Sequence, residues 1–191
     1  MQKKIVITGF GGQGVVLAGR IVGKAAAIRD GLESTLVQSY GPESRGGACS
    51  AQVTIADSQI NYPYIQHPDI LVAMSQAGYE KYKALLIPEG ILIVDQDLVT
   101  PEAGAGGFSV PSTRFAEEMG LKMIANIIMV GFFTAISEAV TLEAARQTVR
   151  ESVPKGTEEK NLKAFEKGWA YGRSSLKARA KKAAGQIGAF A

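Results

Sequence analysis

Ile5-Val6-Ile7-Thr8-Gly9-Phe10-Gly11-Gly12-Gln13-Gly14-Val15-Val16 is the stretch on which the reading of this chain turns. A run of β-branched residues predicts a strand buried on both faces, as in the middle of a parallel sheet. Four glycines in the six residues Gly9–Gly14 then allow positive φ and close backbone approach. Val15, Val16, Ala18, Gly19, Ile21 and Val22 follow at helical spacing. Strand, glycine loop and helix with the spacing G-x-G-x-x-G match the dinucleotide fingerprint, in which loop amides and a helix N-terminus hold a pyrophosphate. A nicotinamide site also requires an acidic residue about 20 positions on, at the end of the second strand. That strand, near Thr35–Gln38, ends in Gln38, Ser39 and Tyr40, and Asp30 and Glu33 lie before it. The loop therefore serves packing, a protein contact or a different phosphate-bearing ligand. No P-loop Lys-Ser/Thr follows it.

With 191 residues, the chain is long enough for one domain with a full core. Of its 21 basic residues, five lie from Arg173 onward, where there is no acidic residue. Residues 1–172 thus hold 16 basic and 18 acidic side chains, so the body is near neutral and only the tail is basic. This distribution argues against nucleic-acid binding by the body. The single cysteine, Cys49, and the single histidine, His67, argue against a disulfide, an iron–sulfur cluster or a zinc site held by this chain alone. Ser, Asn, Thr and Glu residues interrupt the apolar stretch Met123–Val140, which reads as a buried helix rather than a membrane span. A cytoplasmic location is expected.

Along the chain, the first helix is expected over about Gln13–Arg29. An alternating strand follows at Ala48–Ala56, and a short extended piece at Ile60–Tyr64. Buried strands are read at Ile70–Met74 and Ile91–Val94, with Ser75 capping a helix over Gln76–Leu86. Residues 100–107 read as a loop, Phe108–Val110 as a strand and Thr113–Met119 as a helix. The apolar Met123–Ala139 should be the most buried helix, Thr141 caps another that runs to about Glu151, and a charged helix starts near Glu158. The alternation predicts an α/β fold: a single Rossmann-like domain over residues 1–172, with a mostly parallel sheet flanked by helices and a basic helical tail over 173–191.

Two loops carry the candidate site. The first is Gly9, Gly11, Gly12, Gln13 and Gly14. The second is Ser39, Tyr40, Gly41, Glu43, Arg45, Gly46 and Gly47, at the carboxyl end of the second strand, where open α/β sheets place their sites. Arg45 can clamp a carboxylate or phosphate in a bidentate fork, or pair with Glu43 to hold a turn; both readings stand. Asn126, alone in an apolar helix, needs a polar partner, most simply a loop backbone. No nucleophile–base pair, carboxylate pair or metal cluster emerges, so no catalytic or metal-binding residue is assigned.

Together the two loops are far more specific than either alone. Gly9–Val15 followed by Ser39-Tyr-Gly-Pro-Glu-Ser-Arg-Gly-Gly47 resembles the gamma subunit of 2-oxoacid:ferredoxin oxidoreductases. Pro68–Ala73, Pro88-Glu-Gly90, Asn126-Ile127 and Lys160–Gly168 add to the resemblance, which spans about residues 3–172. Asn61-Tyr-Pro and Val72–Gln76 look most like the 2-oxoglutarate branch. The resemblance implies a complex that oxidatively decarboxylates a 2-oxo acid with coenzyme A and reduces ferredoxin. Thiamine diphosphate would lie between alpha and beta subunits, and iron–sulfur clusters in beta or delta subunits. This chain would be a non-catalytic subunit binding none of these cofactors by itself, its two loops facing the catalytic subunits near the coenzyme A entrance. The competing readings are a pyruvate or indolepyruvate subunit and a free-standing nucleotide-binding oxidoreductase domain. A homodimer of the isolated chain remains open.

Overall fold

Gln2–Phe10 forms strand β1, whose Ile5, Val6 and Ile7 are completely buried. The computed structural model describes residues 1–40 and 48–188. Five more strands follow among these: β2 (Glu33–Tyr40), β3 (Ala48–Ala56), β4 (Ile70–Ala73), β5 (Ile91–Asp95) and β6 (Phe108–Val110). The helices are α1 (Val15–Lys24), α2 (Gln76–Tyr82), α3 (Ser112–Glu118), α4 (Ala125–Ser137), α5 (Leu142–Ser152) and α6 (Glu158–Gly188). The strands make one sheet in the order β2-β3-β1-β4-β5-β6. β1, β4, β5 and β6 are parallel neighbours, while β3 runs antiparallel to both β1 and β2. The α/β fold with a mostly parallel sheet holds, with one reversed strand.

That reversed strand corrects the dinucleotide comparison. In a simple βαβ unit the strand after the helix pairs with the first. Here the β2–β3 hairpin folds back, so β3 occupies the place beside β1, with Gly9 opposite Cys49, and β2 becomes an edge. The connection is a split βαβ. The expected acidic residue is absent from the sequence, and the strand that would carry it is also displaced by one position.

Side chains alternate across the sheet and set up two unequal layers. Ile5, Ile7, Ala51, Val53, Ile55, Ile70, Val72 and Ile93 face the larger one, against α1, α4, α5 and α6. Val6, Leu71, Ala73, Leu92 and Val94 face the other, which is covered by Tyr79 and Tyr82 of α2, Ile65 and Val99. β4 sits in the middle and is buried at all four positions, as its unbroken apolar run requires.

α4 is apolar on all sides and buried on all sides, the arrangement such a helix needs. One side lies toward the sheet, and α6 closes over another. At the α4–α6 crossing the backbones come within reach of one another. A Cβ on Gly131 would overlap the Phe165 carbonyl oxygen, and one on Gly168 the Ile128 carbonyl oxygen. The carboxyl end of α4 turns through Glu138 at φ 46, and Lys3 Nζ donates to the carbonyls of Ser137 (3.0 Å) and Glu138 (3.2 Å). A cation at this end complements the helix dipole.

Helix boundaries differ from expectation in several places. The helix expected over Met123–Ala139 is α4, Ala125–Ser137, preceded by a separate 3₁₀ turn at Lys122–Ile124, and the one expected over Thr113–Met119 is α3, Ser112–Glu118. The first helix starts two residues late, at Val15, because Gly14 holds a left-handed conformation (φ 73) as its N-cap. Its end, Ala25–Arg29, widens into a π-helical turn. That turn leads to Asp30, whose carboxylate accepts from the backbone N (2.8 Å) and hydroxyl (2.6 Å) of Thr141 at the start of α5. The helix expected over Gln76–Leu86 is α2 plus a 3₁₀ turn at Lys83–Leu85, with Ser75 Oγ accepting from Gly78 N at 3.1 Å. Ile60–Tyr64 joins no strand. α6 runs past residue 172 without a break.

Candidate functional site: a glycine cradle at the carboxyl edge of the sheet

The carboxyl ends of β1 and β4 meet where chain connections diverge to the two sides of the sheet, the position at which open α/β sheets form crevices. Gln13 ties this point together. Its Oε1 accepts from Phe10 N (2.6 Å), its Nε2 donates to Met74 O (2.9 Å), and its own N–H bonds back to Phe10 O (3.1 Å). One side chain thus closes the glycine turn and pins it to the end of β4. Gly9 must lack a Cβ, because one would strike Gln13 Oε1 and the Val15 side chain. Gly12, at φ 94, faces open space, and Phe10, Gly11 and Gly12 are all exposed.

On the inner side, Gly14 O accepts from Ala18 N (2.9 Å), the first α-helical bond, and from Asn126 Nδ2 (3.2 Å). A Cβ on Gly14 would collide with the Asn126 amide. Asn126 is 2% exposed, and its Oδ1 has no hydrogen-bond partner. The first turn of α1 has no side-chain cap, so the positive end of its dipole is directed at the edge. Replacing Gln13 with Ala is expected to cost about 1 kcal/mol, since its two bonds engage groups that water can partly satisfy. The Phe10 amide should lose hydrogen-exchange protection while the Ile5–Ile7 amides keep theirs. Unchanged protection at Phe10 would refute the stapling role.

Of the residues singled out in the sequence, Gly9, Gln13, Gly14 and Asn126 come together in this cradle, and Gly11 and Gly12 form its exposed rim. Ser39 and Tyr40 lie at the end of β2, opposite Ser50 and Cys49, and Cys49 is opposite Gly9. Both candidate loops therefore leave the sheet at one edge. Gly41, Glu43, Arg45, Gly46 and Gly47 lie outside the described residues. Cys49 is buried on β3, and burial pushes its thiol pKa up, away from the reactive thiolate. His67 is on the surface. Among the described residues no group of three His, Cys, Asp or Glu could hold a metal ion, and no helix is long and apolar enough to cross a membrane.

Two features escaped the sequence reading. Asp95, fully buried at the end of β5, accepts from Ser112 Oγ, from Thr113 N and Oγ1 (2.9 Å each) and from Asp97 N (2.9 Å). It caps α3 from a distance, and the Ser112-Thr113 pair at the expected helix start was the available signal. Met123, three residues before Asn126, is 87% exposed, and Phe10, on the glycine turn itself, is 42% exposed.

A glycine cradle at the carboxyl edge of a split βαβ sheet defines an α/β domain of the Rossmann-like class. The chain belongs to the pyruvate ferredoxin/flavodoxin oxidoreductase family, which matches residues 4–171. It is 48% identical over 174 residues to the KorC subunit of 2-oxoglutarate synthase from Methanocaldococcus jannaschii, covering 88% of this chain and 93% of that protein. Among solved structures it resembles the gamma subunit of a keto/oxoacid ferredoxin oxidoreductase from Geobacter sulfurreducens (36% identity, TM-score 0.79, 89% of this chain and 95% of that one). It shares its fold with part of a 2-oxoglutarate:ferredoxin oxidoreductase from Magnetococcus marinus, solved with 2-oxoglutarate, coenzyme A and succinyl-CoA bound (23% identity, TM-score 0.81, 91% of this chain and 31% of that one).

Proposed function

We propose that this chain is the gamma-type, non-catalytic subunit of a cytoplasmic 2-oxoglutarate:ferredoxin oxidoreductase. The complex would cleave the C1–C2 bond of 2-oxoglutarate, release carbon dioxide, form the thioester of succinyl-CoA and pass two electrons to ferredoxin. The observation that carries the substrate assignment is the 48% identity, over nearly the whole length of both chains, to a 2-oxoglutarate synthase subunit. Thiamine diphosphate and the iron–sulfur clusters belong to the alpha, beta or delta partners. This chain's one cysteine is a buried strand residue and does not fit a cluster site.

The part played by this chain follows from its edge. Exposed Phe10 stands on a backbone turn pinned by Gln13, a feature suited to a protein interface, in which aromatic residues are enriched. The uncapped first turn of α1 favours negative charge beside it. The glycine cradle would therefore seat against the catalytic subunits where coenzyme A approaches, with Ser39–Gly47 alongside and Arg45 available to fork a phosphate or carboxylate.

Tagged protein recovered from its native extract should bring down thiamine- and cluster-bearing subunits, give a brown solution and support dye reduction that depends on 2-oxoglutarate and coenzyme A. Reduction that responds instead to pyruvate or indolepyruvate would reassign the substrate. Recovery of the chain alone with a bound nucleotide would sink the subunit reading. In the reconstituted complex, Arg45→Ala should leave the chain folded and lower assembly or coenzyme A-dependent turnover about tenfold, the loss expected for one charge-assisted hydrogen-bonded contact. An assembled Arg45→Ala complex with unchanged kinetics would remove that loop from the site.

A further inference from the structure

β2 is an eight-residue strand at an open edge of the sheet, Glu33-Ser34-Thr35-Leu36-Val37-Gln38-Ser39-Tyr40. Its ladder to β3 runs without a bulge, from Glu33 opposite Ala56 to Tyr40 opposite Cys49. A strand paired along one side only turns the N–H and C=O groups of every second residue outward, a template for another strand. Among the described residues nothing but β3 bonds to the backbone of Ser34–Val37. The opposite edge of the sheet is blunted: β6 has three residues, and the Arg179 guanidinium of α6 lies 4.8 Å above its Phe108 ring. β2 has no such protection. It holds no proline, lysine or bulge, and its one charged residue, Glu33, stands at its start.

The two faces of β2 are fixed by α1. A Cβ on Gly19 would meet Leu36 Cδ1 at 3.3 Å, and one on Gly23 would meet Ser34 Oγ at 3.1 Å, so Ser34 and Leu36 lie under that helix. By alternation Thr35 and Val37 face the other layer. All four are half-buried. The run Ser34–Ser39 is uncharged, so it offers a foreign strand no charge to read, and its apolar side chains sit in the middle, where a strand can match itself.

We propose that β2 pairs antiparallel with β2 of a second copy of this chain, joining the two sheets edge to edge. The faces set the register. Directly opposed residues on antiparallel strands project to the same face, so each residue must meet one of its own parity. A two-fold axis at Leu36 sets Leu36 against Leu36, Thr35 against Val37 and Glu33 against Ser39, so apolar groups meet and like charges do not. An axis at Val37 would set Leu36 against Gln38 and lose that match. α1 rests on Leu36 of β2 and Ala51 of β3. The two copies of α1 then stand two to three strand spacings apart, roughly 10–14 Å, wide enough for helices that pack at about 8–10 Å. The pairing goes beyond the subunit assignment and does not rest on it.

The test is sedimentation of the full chain together with amide exchange. The chain should dimerise as its concentration rises, and exchange within Ser34–Val37 should slow in step. Thr35→Lys/Val37→Lys sets ammonium against ammonium on both sides of the axis and should weaken the dimer about tenfold. Thr35→Glu/Val37→Lys alters the same two positions but sets opposite charges across the axis, and should dimerise within about threefold of the wild type. Thr35→Cys/Val37→Cys should cross-link the two copies under mild oxidation. Thr35→Cys alone should not, because the two copies of position 35 are offset along the strands by more than a disulfide spans. A chain still monomeric at about 1 mM, where even weak specific contacts are filled, would overturn the proposal. So would equal losses in the two charged variants, or a dimer whose Ser34–Val37 amides exchange as fast as in the monomer.

Discussion

Gly168→Ala should unfold the protein about 4–8 °C below the wild type, although alanine is the better helix former. Two effects oppose each other at this position. Replacing glycine in a helix interior ordinarily gains about 1 kcal/mol. The new Cβ, however, overlaps the Ile128 carbonyl oxygen, which is backbone and cannot turn away as a side chain would. Overpacking of this kind costs about 3 kcal/mol or more, because α4 and α6 must separate along their crossing. For a chain of this size each kcal/mol moves the midpoint by about 2–4 °C. Gly131→Ala should behave alike, since its Cβ meets the Phe165 carbonyl from the other helix. Gly23→Ala is the contrast: its Cβ comes no closer than 3.1 Å to Ser34 Oγ, a side chain that can rotate, and the change should be near neutral. Thermal melts of the three variants decide the matter, and a Gly168→Ala midpoint equal to the wild type would mean that the crossing is not close-packed.

Asp95→Ala should cost about 3 kcal/mol in urea unfolding without touching the glycine cradle. It strands the donors of Ser112, Thr113 and Asp97, and a buried donor without a partner costs about 1–3 kcal/mol. The sum is less than additive because removal of the carboxylate leaves room for water and for the start of α3 to relax. Asp95→Asn, which keeps one acceptor oxygen, should lose about half as much. Equal stability of Asp95→Ala and wild type would show that α3 is held by other contacts. A large loss of assembly at full stability would instead make Asp95 part of an interface.

The sequence made some of this legible and hid the rest for identifiable reasons. Strand and helix types follow from periodicity, and Ala48–Ala56 is found with the same limits because alternation over nine residues leaves little freedom. Ser75 and Thr141 cap their helices because their side-chain oxygens sit three residues before a free helix N–H. The placement of β3 between β1 and β2 was not legible, since a hairpin's side of return depends on which sheet edge is open rather than on its own residues. The Gln13 staple and the Asn126–Gly14 contact depend on pairs 61 and 112 residues apart, beyond any local pattern. Asp30, at the end of the π-helical turn Ala25–Arg29, likewise finds its partner, Thr141, 111 residues away.

The burial of α4 also bears on how the protein is made. α4 is apolar on every side, and the covering for its outer side, α6, begins only at Glu158. A ribosome working at about 5–20 residues per second has already released the sheet and α4 before α6 emerges. For a few seconds each nascent chain presents an oily helix with no cover, on a domain otherwise able to collapse. Cells that make this protein in quantity therefore face their greatest risk of clumping between the synthesis of α4 and that of α6. Slower decoding of the codons for α6 would prolong that interval, and a chaperone that binds apolar helices would protect the chain until Gly168 slides against Ile128.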